Sequence, residues 1–260
     1  MTALLEVREL SARFGGVQAL DGVDLEVGEW EVVGLVGPSG AGKGTFVDCV
    51  TGIEAPEGGT VRFRGQDVTG LPAHRRVAMG MARTWESPRL EPSLTVLDAV
   101  MTAQHANVRY GALAGMLGGP TTFAEEDQLR QNAEEILFFL GLSPLVDQPL
   151  ARLAPTARKL CGVAIALATD PDMLVLEAPL AGLGPEEARR LARSIRFLRD
   201  ALNLTILVTE EDVSLTPGLC DYVYVLSAGR LLARGTPEDV MAHPYVRSAY
   251  LDEEGLGAAS

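Results

Sequence analysis

The run Gly37-Pro-Ser-Gly-Ala-Gly-Lys43 constrains this 260-residue chain more than any other feature. Its glycines free the backbone to turn successive N–H groups inward, and Lys43 adds a cation on a long stem. The run fits G-x-x-x-x-G-K, in which the loop N–H groups cradle phosphate oxygens and the lysine reaches the β- and γ-phosphates. Its flanks agree. Glu31 to Val36 is a short, nearly continuous apolar run of the kind buried on both faces of a parallel sheet. Residues 42 to 50 read as a helix closed by Gly52, and a helix N-terminus favours anions. Phosphate contacts are therefore expected at Gly37, Pro38, Ser39, Gly40, Ala41, Gly42, Lys43, Gly44 and Thr45. Gly44 offers no hydroxyl to Mg²⁺, whereas Thr45 supplies one a position later.

Strand and helix signals elsewhere set the fold class. Leu4 to Leu10 and Ala19 to Val27 alternate like strands about the turn Phe14-Gly-Gly16, which predicts an antiparallel layer. From about residue 90 to 155 strand signals vanish. Thr122-Phe-Ala-Glu125 reads as a capping box opening a helix with Leu129, Ala133, Ile136, Leu137 and Leu140 on one face, ended by Gly141. Strand runs return at Met173 to Leu176, Thr205 to Thr209 and Tyr222 to Leu226, with a helix from Pro185 to Leu202 between the first two. The sum is an α/β core with a phosphate loop, an antiparallel β layer and a helical lobe. The expected division is a core over 1–88 and 159–235, a helical lobe over 89–158 and a C-terminal extension over 236–260.

Composition removes several functions. A formal charge of −13 argues against nucleic acid and anionic lipid as partners, because both present negative phosphate. The chain holds no run of 18 apolar residues, and its first ten residues lack a basic region followed by an apolar stretch. It is expected in the cytoplasm. Cys49, Cys161 and Cys220 form no C-x-x-C pair and read as small buried hydrophobes. His74, His105 and His243 show no ligand spacing.

Taken in order, Phe14-Gly-Gly-Val-Gln-Ala-Leu20, the loop at 37–45, Ala82-Arg-Thr84 with Leu94-Thr-Val-Leu97, Pro179 with Ala181-Gly-Leu183, and Gly235-Thr-Pro-Glu238 resemble an ATP-binding-cassette (ABC) ATPase almost end to end. The insertion around Gly111 to Glu135 and the ending His243 to Leu251 look most like the ATPase subunits of branched-chain amino acid importers. The resemblance implies ATP or ADP with Mg²⁺ as ligands and Phe14 stacked on adenine. It also implies a second ABC ATPase subunit, identical or sister, and membrane permease subunits that hold the chain on the inner face of the membrane.

The chain departs from that pattern where the chemistry lies. In the family a strand ending in Asp-Glu supplies a magnesium carboxylate and a general base; here the positions are Glu177 and Ala178, and a methyl group cannot activate water. Glu211 stands at the switch histidine, and Glu86 at a glutamine that senses metal and water. Each adds negative charge beside a polyphosphate, opposing it by on the order of 1–3 kcal/mol at about 6 Å and an effective dielectric near 20. The signature that closes on the partner's γ-phosphate falls at Ala154, Pro155, Thr156 and Ala157, with Thr156 in place of glycine. Gly184 replaces a polar residue at the dimer interface. Each composite site pairs one chain's loop with the other's signature. The chain therefore damages its own site through Ala178 and its partner's through Thr156, so weak or absent hydrolysis is expected.

Two readings compete. A nucleotide kinase shares the G-K-G-T ending, but its loop lies within a few residues of the N-terminus. A nucleotide-responsive scaffold would hold a transporter together without turnover. The cluster Arg75-Arg76 with Arg83 reads as solvated surface, and Phe138-Phe139 as helical core.

Overall fold

The structure is a computed structural model and describes residues 3–85, 91–104 and 120–248. The chain divides into two compact units, one of Met1–Arg83 with Asp172–Ser260, the other of Thr84–Pro171.

The first unit carries two sheets. Strands β1 (Ala3–Phe14), β2 (Val17–Gly28), β4 (Gly58–Phe63) and β5 (Gln66–Asp67) form an antiparallel sheet in the order β2-β1-β4-β5. β1 and β2 run beyond the expected Leu4–Leu10 and Ala19–Val27. The second sheet has the order β10-β9-β3-β8-β7-β6, from β3 (Val32–Val36), β6 (Met81–Arg83), β7 (Met173–Glu177), β8 (Thr205–Glu210), β9 (Tyr222–Ser227) and β10 (Arg230–Gly235). Its β3, β8, β7, β6 and β9 neighbours pair in parallel, and only β10 is antiparallel. Every residue of β3 and β8 is buried, as the apolar run at 31–36 predicts for central parallel strands. Helix α1 (Lys43–Thr51) packs Phe46, Val47 and Val50 into one core with Leu5, Val7, Leu25 and Phe63 of the β layer and Leu35, Leu207 and Leu226 of the parallel sheet.

Helix α6 (Pro185–Leu202) has Pro at its first turn and buries Ala188, Leu191, Ala192, Ile195 and Leu198, a stripe at helical spacing. Asn203, at φ 52°, ends it. The short helix α7 (Pro237–Ala242) carries a capping box in which Thr236 and Asp239 satisfy each other's backbone N–H groups. Helix α2 (Ala73–Ala78) follows β5.

Among its described residues the second unit is helical: α3 (Val96–Gln104), α4 (Pro120–Phe139) and α5 (Pro155–Leu167), with short 3₁₀ turns at Ser143–Leu145 and Leu150–Arg152. Helix α4 buries Ala133 and Leu137, followed by Leu140, on the expected face, with Leu129 and Ile136 half-buried. Gly141 adopts φ 70° and Leu142 N–H reaches back to Leu137 O at 2.8 Å, closing the helix.

Several expectations need correction. The chain is already helical at Pro120, so Thr122 lies inside α4 and does not cap it. Phe138 and Phe139 are 74% and 49% exposed, because both fall on the face opposite Ala133 and Leu137, so they are not core. Of the three arginines read as surface, only Arg75 is exposed. Arg76 is buried and spans two elements: Nη1 donates to Cys49 O and Val50 O at 2.8 and 2.6 Å, Nε to Leu71 O at 2.9 Å, and Nη2 to Thr69 O at 3.0 Å. It satisfies carbonyls at the end of α1 that the helix itself leaves orphaned. Arg83 is half-buried, with its side chain 9% exposed, in a network described below.

Candidate functional site

The parallel strands end side by side. Val36 pairs in register with Glu210, and Glu177 with Thr209, so the loops after β3, β7 and β8 leave one edge of the sheet together. In open α/β sheets that carboxyl edge is where ligands bind.

The phosphate loop occupies it. Gly37 N–H donates to Glu210 O at 3.3 Å. A Cβ at Gly37 would lie 2.1 Å from Leu226 O, which excludes any side chain there. Gly42 has φ 105°, and a Cβ on it would lie 2.5 Å from Ala19 O. The two glycines thus meet both demands of a cradle, close backbone approach and left-handed geometry. Helix α1 begins at Lys43, directly after the loop, which aims its N-terminal N–H groups at the same space. Lys43 Nζ folds across the loop and donates to Gly37 O at 2.6 Å and Pro38 O at 2.9 Å. Phosphate oxygens would compete for that ammonium. Phe14, at the tip of the β1–β2 hairpin, is 49% exposed, so its ring is available to a flat ligand and is not core.

The loop after β7 is pinned to the end of β8. Ala178 N–H donates to Thr209 O at 2.9 Å, and Leu180 N–H to Glu210 Oε1 at 2.7 Å. Ala178 is buried and sits at φ 40°, in the left-handed region. Glu210 is 1% exposed and had no assigned role in the sequence; its only signal is an acid inside an otherwise apolar strand. Glu211, expected from the resemblance at the switch position, is exposed, and Asp212 caps the turn that follows by accepting from Ser214 N–H at 2.7 Å.

Glu177 is not open to solvent. Its side chain is 14% exposed and pairs with the Arg83 guanidinium, which also donates to Asp48 Oδ1 at 2.7 Å and Thr51 Oγ1 at 3.0 Å. The donor set for phosphate is thus complete, with glycine-shaped backbone, helix N-terminus and Lys43. The donor set for a divalent cation is not. Gly44 brings no oxygen, Thr45 is half-buried, and the Glu177 carboxylate is held by Arg83. Among the described residues no group of three His, Cys, Asp or Glu is arranged to hold a metal ion.

In the second unit, Ala154 is the N-cap of α5 with Pro155 first in the helix, and Thr156 and Ala157 are half-buried behind them. Glu86 lies outside the described residues.

A family model described as ABC transporter matches residues 20–181. The chain belongs to the ABC transporter family. A second model, described as branched-chain amino acid ATP-binding cassette transporter, matches residues 230–251. The ABC chain is 38% identical over 250 residues to the high-affinity branched-chain amino acid transport ATP-binding protein LivG of Salmonella typhimurium, covering 96% of this chain and 98% of that one. It is 36% identical over the same span to BraF of Pseudomonas aeruginosa, a protein of the same description. Among solved structures it is similar to MJ1267, an ATP-binding cassette of an ABC transporter in its ADP conformation. The TM-score is 0.84 at 28% identity, with 96% and 99% of the two chains covered. The cassette's parallel sheet, β layer and helical unit are thus those of the family. No helix of the ABC chain, among the described residues, is long and apolar enough to cross a membrane.

Proposed function

We propose that the chain is the nucleotide-binding subunit of an importer for branched-chain or related amino acids, and that it binds ATP or ADP while hydrolysing it poorly or not at all. The solute class rests on LivG and BraF and on the match at 230–251. In this reading a second ABC ATPase subunit supplies the other half of each nucleotide site, and permease subunits hold the pair at the inner face of the membrane.

The observation that carries the catalytic part is Ala178. The residue after β7 stands where the family places its general base, and it presents a buried methyl group. General-base assistance is worth about 10²–10⁴-fold in rate. Thr156 at the start of α5 adds a side chain where the family brings glycine against the partner's γ-phosphate, which weakens the second site as well. A homodimer then has no intact site.

Nucleotide binding and phosphate release, measured for the purified chain alone and mixed with a sister ATPase, test this reading. Binding that Lys43→Ala abolishes, without release by the chain alone, supports it. Lys43-dependent release by the chain alone contradicts it. Release in the mixture marks an asymmetric transporter motor, and silence there marks a nucleotide-responsive scaffold.

A further inference from the structure

Arg83 ends β6, next to β7, and its guanidinium lies between Asp48 of α1 and Glu177 at the tip of β7. The Arg83 side chain is 9% exposed and Glu177 14%, so solvent and salt screen their pairing little. The planar fork of an arginine meets two carboxylates at once, which a lysine's point charge does less well. Glu177 is the carboxylate to which the family resemblance assigns Mg²⁺. The phosphate loop offers no hydroxyl at Gly44, where the motif resemblance expects one, although a Cβ there would meet nothing within 4 Å. Space for a hydroxyl exists and the oxygen is missing. For Glu177 to hold a divalent cation it must leave Arg83, and removing one partner of a buried ion pair strands the other charge.

We propose that Arg83 stands in for the divalent cation at this carboxylate, so that the chain binds nucleoside di- and triphosphates without Mg²⁺. The inference rests on the reading of residues 37–45 as a nucleotide site. Lys43 and the α1 N-terminus face the polyphosphate, while Arg83 neutralises the two carboxylates behind it that would otherwise repel it. The substitutions at 44 and 177 and the burial of Arg83 then form one arrangement, in which a fixed internal cation replaces an exchangeable one.

Equilibrium binding of a fluorescent ADP to the full chain, in excess Mg²⁺ and in excess EDTA, tests this without any need for turnover. The expected dissociation constants agree within about fivefold, a difference of no more than about 1 kcal/mol. A larger loss of affinity in EDTA overturns the inference. Arg83→Met is expected to weaken binding in EDTA by about tenfold, with Mg²⁺ now restoring it, whereas Arg83→Lys keeps binding independent of metal. Arg83→Met that folds and binds alike in both buffers overturns the role given to Arg83. Should that variant not fold, the wild-type ratio and Arg83→Lys decide. A folded wild-type chain that binds in neither buffer overturns the nucleotide-site reading itself, and the inference with it.

Discussion

At Ala178 a single methyl group sits in left-handed backbone geometry, and no proton acceptor stands at the position from which the family activates water. Restoring a carboxylate is a direct probe. In the proposed dimer, where each composite site joins one chain's phosphate loop to the other's signature, Ala178→Glu restores the base and Thr156→Gly the signature, while Gly44, Glu86 and Glu211 stay as they are. The double variant is expected to release phosphate at least about tenfold faster than the wild-type chain, and each single variant to stay near it. Steady-state phosphate release checks this; a single variant matching the double would show that only one lesion matters. These positions were legible in the sequence because the motifs around them are spaced as in the family. Arg83 and Glu210 were not legible. Arg83 falls in the Ala82-Arg-Thr84 motif, but its pairing depends on Asp48 and Glu177, which are far away in the chain and meet it only in the folded structure.

Helix α1 joins the phosphate loop to the core, and its two ends carry opposite predictions. Near the start, Gly44 lies in open space with no neighbour to exclude a side chain. Gly44→Ser should therefore stabilise the chain by up to about 1 kcal/mol through helix propensity alone, read as a small rise in midpoint temperature. At the far end, Arg76 satisfies Cys49 O and Val50 O of α1 together with Leu71 O and Thr69 O before and within the turn into α2. Burial pushes its guanidinium pKa down from the ordinary value, yet the four carbonyls keep it in place. Arg76→Leu leaves those acceptors buried and unmatched and should cost about 3 kcal/mol in chemical denaturation. Sequence patterning located α4 and α6 by their apolar spacing, β3 by its nearly continuous apolar run and α1 by its place after the phosphate loop. It passed over β4, which begins Gly58-Gly59, and β6, which is three residues long, since neither carries enough period to register. Arg76 reads as part of a basic surface run because burial of a charge by backbone carbonyls leaves no trace in composition.

Across the whole molecule, the three cysteines report the integrity of both units. All are buried; burial pushes the thiols of Cys49 and Cys161 up to about 11 and that of Cys220 up to about 12, from an ordinary 9.0. Because the folded chain holds these protons more tightly than the unfolded chain, the associated stability is full below pH 9 and is lost as pH rises toward 11 and 12. Midpoint temperature should fall as pH is raised above 9, and a thiol reagent at pH 8 should label the native chain slowly and all three cysteines after unfolding. Rapid native labelling at Cys220 would place the middle of β3 in a looser setting than its packing indicates, where a Cβ on Gly34 would lie 2.9 Å from Cys220 Sγ. In the function proposed for it, the cassette binds nucleotide through its phosphate cradle and hydrolyses it poorly or not at all. The measurement that tests it most directly is nucleotide binding and phosphate release by the purified chain alone, with Lys43→Ala as control. The account predicts Lys43-dependent binding with phosphate release no faster than that of the Lys43→Ala chain; Lys43-dependent release well above that background would contradict it and would assign the base to another carboxylate at the sheet edge, Glu177, Glu210 or Glu211.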